Sequence, residues 1–367
     1  MGFHIVKREN CPLWKKALLY IGAIVLALLI GSGILLAIGV DPVAYFTRMF
    51  TMGTIGNKIA YKAYINYLKD FVPLVLTAVA LSLAFKMRFW NIGGEGQFIM
   101  GTIAASAVAI KLGNVLPSAL ILVLMCAAAM AAAGLYGLLV AALKVRFGTN
   151  ETLLTLMLNY VALYLLTFLM ETKASWNFFL NPDELRPVPQ SYPEGARFPT
   201  IPMGEKFELN ICVIFVILIG VLIHIYLKRT KQGYEINVVG DSAGTARYAG
   251  MKVNRIVLRT VFLSAALIGL AAAFKMGTVG TMSTAITADV GWTGIIVAWL
   301  AQLNTVAIFI VSALISVLHY GSTVAAATFK QVDSSFANML QGFILFLVLA
   351  ADFMIRCKIV RTKKEGK

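Results

Sequence analysis

Charge is what this chain has least of. Asp, Glu, Lys and Arg make up 13 % of its 367 residues, while 59 % are hydrophobic. A soluble domain carries about a quarter charged residues. This shortage, with apolar runs of roughly 15–29 residues along the chain, excludes a soluble domain and points to a polytopic helical membrane protein. Histidine is scarce too: His4, His224 and His319 are too far apart in sequence for a local metal motif. The four cysteines, Cys11, Cys126, Cys212 and Cys357, contain no CxxC, which argues against a zinc site or a disulfide framework. In or beside an apolar run, Cys126 and Cys212 read as small hydrophobes. No GxxxxGK[ST] occurs, so the chain does not itself cradle nucleotide phosphates in the P-loop manner. HExxH and a credible intramembrane carboxylate pair are also missing. The reading is of a protein that is no enzyme, with no catalytic residue, no metal and no cofactor of its own.

What charge there is leans positive, with 32 Lys and Arg against 17 Asp and Glu. The positives flank the apolar runs: Lys7, Arg8, Lys15 and Lys16; Lys86 and Arg88; Lys144 and Arg146; Lys228, Arg229 and Lys231; and Arg356, Lys358, Arg361, Lys363, Lys364 and Lys367. Such residues collect in cytoplasmic flanks and meet anionic lipid there. No basic stripe interleaved with aromatics lies outside the apolar runs, so nucleic acid is rejected as a partner.

Ten segments are expected to span the bilayer as one permease domain: 17–40, 71–89, 98–112, 115–143, 153–170, 210–227, 257–274, 290–303, 305–318 and 339–355. Both termini are then cytoplasmic. The first segment is too long for a signal-peptide core and reads as an uncleaved anchor. Residues 43–71 are placed outside, although Arg48, Lys58, Lys62 and Lys69 strain the charge rule. A proline-rich outer loop covers 171–209, and a basic cytoplasmic loop covers 228–256.

Several spans are interrupted by polar residues. Asn91-Ile-Gly-Gly-Glu-Gly-Gln97 lies between short apolar runs. Non-helical backbone at membrane depth is tolerated only inside protein or beside a water-filled cavity. Glu95 is therefore either at the cytoplasmic surface or a buried carboxylate near the path. Thr149 or Asn150 can cap the helix beginning near Glu151, and Asn159 within it serves either as interhelical glue or as a solute contact. Ala84-Phe-Lys-Met87 recurs as Ala273-Phe-Lys-Met276, and Asn91-Ile-Gly-x-x-Gly96 is echoed by Asp289-Val-Gly-x-x-Gly294. This echo suggests two inverted five-helix halves containing discontinuous helices.

The longest polar interruption on the cytoplasmic side is Gly233–Arg259. Asp241 can serve as an N-cap for a helix over Ser242–Ala249, with no Glu or Gln at N3 to close a capping box. Gly250 sits where a left-handed C′ residue belongs. Two readings compete: a solvated loop with a helical turn, or a coupling helix gripped by a soluble ATPase.

The strings themselves favour the second. GYEINVVGDSAGTARYAGMKVNRI (233–256) resembles the coupling segment of the simple-sugar and nucleoside, ribose-like branch of bacterial ABC import permeases. FWNIGGEGQFIMG (89–101) looks like that branch's FNIGAEGQ signature. The run 150–162 resembles NEVxxTLMLNYIA, with Thr152 where valine is frequent. The resemblance implies a permease subunit in the cytoplasmic membrane of a bacterium, with ATP-Mg bound by a partner ATPase. That ATPase would be coupled through Asp241, Ala246, Arg247, Tyr248 and Gly250. It further implies a second permease, homologue or copy, and an extracytoplasmic substrate-binding lipoprotein. Asn91, Glu95, Gln97 and Asn159 become candidates to line or support the path of a small neutral solute, nucleosides ahead of simple sugars such as ribose. Two rivals remain: an ion-coupled secondary transporter working through Glu95 or Asp289, and a membrane scaffold.

Overall fold

The computed structural model describes residues 2–7, 12–55, 60–203, 207–333 and 335–362. Arg8, Cys11, Lys58, Lys363, Lys364 and Lys367, which enter the charge and cysteine readings, lie outside them. The described chain is an all-α polytopic membrane protein. Among the described residues, eight helices are long and apolar enough to cross a membrane. The chain divides into two compact units, residues 1–60 with 317–367, and residues 61–316.

The first unit contains α1 (Leu13–Ala37), α2 (Pro42–Phe50) and α13 (Ser335–Arg356). Asp41 starts α2 by accepting a hydrogen bond from the Val43 backbone at 2.9 Å, with Pro42 at the first helical position. Both features satisfy or remove donors that a helix start leaves orphaned. Tyr45 of α2 is buried, its hydroxyl 2.8 Å from Ser322 and its ring packed edge-on against Phe336. The charged, aromatic stretch after residue 43 thus contains a helix with a buried face. Strands β1 (Gly2–Lys7) and β4 (Cys357–Thr362) pair antiparallel, an element that the basic termini give no alternating apolar pattern to announce.

The second unit holds α3 (Ala60–Lys86), α4 (Gly94–Leu112), α5 (Ser118–Phe147), α6 (Glu151–Glu171), α7 (Cys212–Arg229), α8 (Lys231–Asp241), α9 (Ala243–Tyr248), α10 (Val253–Val279) and α11 (Val290–Leu300). Helix α12 (Thr305–Thr328) runs well past residue 318, where the apolar segment was expected to end. Helix α3 likewise starts several turns before Phe71.

The centre of the unit is set by α3 and α10, whose most apolar windows are 78 % and 67 % buried. Helices α4, α5 and α10 approach closely because the contact positions are small. A Cβ on Gly101 would lie 2.8 Å from the Gly269 Cα, and one on Gly269 only 2.2 Å from the Ala129 carbonyl oxygen. In lipid, where apolar transfer drives no association between helices, such packing supplies much of the attraction. Lys275, buried in α10, is paired with Asp70 of α3 at 2.8 Å, as a buried charge must be.

The outer loop folds back over the helix ends. Asn177 donates to the carbonyls of Leu169 and Thr172, both at 2.7 Å, closing the end of α6. Strands β2 (Thr200–Pro202) and β3 (Glu208–Asn210) form a short antiparallel pair. Tyr192 is buried with its hydroxyl against Ser106, and burial pushes its phenol well above the ordinary value.

Candidate functional site

The glycine-rich motif is a turn that returns the chain into the protein. After α3 the backbone takes a left-handed conformation at Arg88, with φ +57°. Trp90 then stacks on Trp299 near the end of α11, with ring centroids 5.3 Å apart. From there the chain runs along α11 toward that helix's start, where α4 begins. Leu81 of α3 lies at this level, since its Cδ1 is 3.4 Å from the position of a Cβ on either Gly94 or Gly294. Leu81 precedes Lys86 by five residues, so the start of α4 is about 7.5 Å inside the basic end of α3.

Every polar group of this turn needs a partner at that depth. Asn91 and Gln97 exchange two side-chain amide hydrogen bonds at 3.1 and 3.0 Å. The Asn91 oxygen also accepts from the Gly93 N–H at 3.1 Å. Asn159 of α6 accepts from the Gly96 N–H and donates to the Ile92 carbonyl, both at 2.9 Å. Asn150, rather than Thr149, caps α6 through the N–H groups of Thr152 and Leu153 at 3.0 and 3.2 Å. Of the four path candidates, Asn91 and Gln97 are thus paired with each other inside the turn. Asn159 ties that turn to α6.

Replacing Asn159 by leucine is expected to orphan two backbone groups, the buried Gly96 N–H and the part-buried Ile92 carbonyl. At about 1–3 kcal/mol for each, the detergent-solubilised protein should lose about 2–6 kcal/mol of stability, measured by thermal or chemical unfolding. A loss below about 1 kcal/mol would show that the turn finds other partners.

Glu95 has a different task. It lies in the first turn of α4, only 8 % exposed, and accepts the Gly291 N–H at 2.8 Å. Thr287 and the Trp292 backbone N–H also face its carboxylate. Gly291 belongs to the first turn of α11, whose own N-cap residue, Asp289, makes no side-chain cap bond and holds φ +56°. Helix α11 is therefore capped by a carboxylate from another helix. The N-termini of α4 and α11, each with a positive end to its dipole, converge on one negative group. Glycine is required at the contact, because a Cβ on Gly291 would lie 2.2 Å from the Glu95 backbone nitrogen. The Asp289-Val-Gly motif carried a hint of this through its likeness to the first motif, but neither string names the other as its partner.

Beside this junction is a cavity of about 400 Å³, lined by Glu95, Asn159, Tyr160, Thr284, Asp289 and Trp292 among others. Tyr160 is 50 % and Trp292 37 % exposed, so neither side chain is wholly packed away. Carboxylates accept hydrogen bonds, hydroxyls exchange them and aromatic faces stack. The walls match a small, flat or ring-shaped, neutral molecule rich in hydroxyls.

At the basic end, the polar loop is two short helices. Ser242, not Asp241, caps α9: its backbone is extended (φ −157°) and its hydroxyl accepts from the Thr245 N–H at 3.2 Å. Asp241 is still helical, as the last residue of α8, and so cannot occupy the cap. Gly250 does take φ +77°. The Gly250 N–H reaches Arg247 O and the Met251 N–H reaches Ala246 O, both at 3.0 Å, which is a Schellman closure. Ala246 is fully buried in the core, whereas Tyr248 is 97 % exposed and Arg247 also faces outward. Helix α8 leans on the end of α3 so tightly that a Cβ on Gly240 would fall 2.0 Å from the Lys86 carbonyl oxygen.

Residues 63–349 match the family described as branched-chain amino acid transport system / permease component. The chain is 27 % identical to the nucleoside ABC transporter permease protein NupB of Lactococcus lactis, over 95 % of this chain and 94 % of that one. It is 27 % identical to the guanosine ABC transporter permease protein NupP of Bacillus subtilis, over 94 % and 96 %. The glucose ABC transporter permease protein TsgB13 of Haloferax volcanii is 26 % identical, over 96 % and 92 %. No solved structure matches the chain.

Proposed function

Because this chain belongs to the branched-chain amino acid transport system / permease component family, we propose that it is the membrane subunit of an importer whose solute is a nucleoside. As an ABC transporter permease it is a transport component, not a catalyst. In this reading ATP-Mg sits on a partner ATPase that grips Ser242–Gly250. A second permease completes the path, and an extracytoplasmic binding protein delivers the solute. Both termini then face the cytoplasm.

The observation that carries the solute assignment is the cavity at the α4–α11 junction. A nucleoside offers a flat base to the faces of Tyr160 and Trp292, and ribose hydroxyls that donate to carboxylates such as Glu95 and Asp289. Base–aromatic stacking is worth about 1–3 kcal/mol, and a hydrogen bond to a charged group about 1.5–3 kcal/mol. Loss of either contact should be visible in transport. The ion-coupled alternative has less support, since the relatives are ABC permeases.

Uptake of labelled guanosine and uridine by cells carrying the full transporter is the direct test. Trp292→Ala and Asp289→Asn are each expected to lower uptake by about 10- to 100-fold, with membrane levels unchanged. Glucose that competes with uptake better than unlabelled nucleoside would overturn the nucleoside assignment in favour of a sugar. Uptake that survives ATP depletion but collapses with an ion gradient would overturn the ABC mechanism.

A further inference from the structure

Between the start of α8 and the turn entering α10, a second cavity of about 620 Å³ opens at the basic end of the helices. Its charged walls are Lys231, Lys252, Arg255 and Arg259 against Glu235. Glu235 is engaged by Arg259 at 3.1 Å. Lys231, Lys252 and Arg255 are exposed and make no ion pair among the described residues. The Arg259 Nε is buried and has no hydrogen-bond partner. Three positive charges are therefore in excess around one concave space. Gathering like charges is unfavourable unless an anion comes between them.

The depth of the cavity says which anion. Helix α10 has 27 residues and is about 40 Å long, against a hydrocarbon core of about 30 Å. Its start, with Lys252 as the N-cap residue and Arg255 in the first turn, thus lies in the headgroup layer. Lys228 and Arg229 mark the same level at the end of α7. Met251 and Ile256 give the cavity an apolar part, and Tyr234, 62 % exposed, is an aromatic of the kind that settles at the bilayer interface. Basic pockets between helices at this level bind anionic lipid headgroups. A phosphate accepts the several N–H donors of Arg and Lys at once. Helix α9 ends at the outward Tyr248, and Ala249 and Gly250, which close it, line one edge of the cavity.

We propose that this cavity holds the phosphate headgroup of an anionic phospholipid of the surrounding bilayer. The site needs only the membrane-spanning fold and does not depend on which solute is carried. An anionic lipid seated between α8 and α10 would link the membrane's composition to the element that α9 is built on.

The probe is phosphatidylglycerol. Full-length permease is purified with phosphatidylglycerol present and exchanged into phosphatidylcholine nanodiscs, and retained lipid is counted by native mass spectrometry. Wild type is expected to keep about one phosphatidylglycerol per chain. A Lys252→Gln, Arg255→Gln variant should retain it about thirtyfold less, the effect of two basic residues at an anionic surface. Arg255→Lys should keep it, which separates lost charge from lost fold. Equal retention by wild type and the double variant would overturn the proposal. So would saturable binding of inorganic phosphate that displaces the lipid, which would mark a small-anion site. Loss of ATPase co-purification with lipid retention unchanged would assign the cluster to an acidic protein surface instead, and overturn it too.

Discussion

Uptake by a Glu95→Ala variant is expected to fall by about 10- to 4,000-fold while the protein still inserts in the membrane. The change removes the cap of α11 and leaves the Gly291 N–H buried without its acceptor. An orphaned buried donor costs about 1–3 kcal/mol. Two helix dipoles also lose the negative charge on which they converge, at about 0.3–1 kcal/mol for each end. Together these make about 1.6–5 kcal/mol, and each 1.4 kcal/mol is tenfold in an equilibrium. The α4–α11 junction, which lines the solute cavity, then no longer holds one arrangement. Glu95→Gln is the discriminating companion, because an amide oxygen still accepts the Gly291 N–H. It should keep uptake within about tenfold of wild type if capping is the residue's task. A Gln variant as dead as the Ala variant would mean that the negative charge itself, toward solute or a coupling ion, is what transport needs.

The second large effect is expected at Gly240→Val. The new Cβ would meet the Lys86 carbonyl at 2.0 Å, a distance that neither backbone can accept. Overpacking of this kind costs about 1–3 kcal/mol, and the cheapest relief is to lift α8 away from α3. Helix α9 remains capped by Ser242 and Gly250, so an ATPase could still hold it. The pushing element would no longer bear on α3. ATP hydrolysis by the assembled transporter should stay within about threefold of wild type while uptake drops by at least about tenfold. Hydrolysis and uptake falling together would indicate lost assembly instead. Normal uptake would show that the α8–α3 contact transmits nothing.

The long helices were plain in the sequence because an apolar run with its basic flank is a local signal. Gly250 was legible for the same kind of reason, since a glycine after a short polar helix has few other uses. The Asp241 assignment failed locally: two adjacent residues, Asp241 and Ser242, can both cap, and only the packing of α8 against α3 makes the first of them helical. Helix α2 was hidden by its short length and its mixture of Arg48 with aromatics, although Asp41-Pro42 is a start signal. That Glu95 is either exposed or buried near the path was as far as the motif reached, and its capping of another helix could not be read. Its partner lies 196 residues away, and both motifs look self-sufficient as strings. The same self-sufficiency hides that Asn91 and Gln97, which resemble solute ligands in sequence, are occupied with one another.

The separation between Glu95 and Gly291 has a consequence for how the protein is made. At about 5–20 residues per second, roughly 10–40 s separate the synthesis of Glu95 from that of Gly291. During this interval α4 carries a carboxylate whose eventual hydrogen-bond donor does not exist. Releasing it into lipid would cost several kcal/mol, so α4 must wait against α3 and α5 or within the insertion machinery. Helix α11, eleven residues and about 16 Å long, is too short to enter the bilayer as a span of its own and needs that waiting carboxylate as its seat. Biogenesis therefore closes late, when the second short helix docks onto the first. A chain cut off before Val290 carries a carboxylate without its α11 donors, the mark of an unfinished protein.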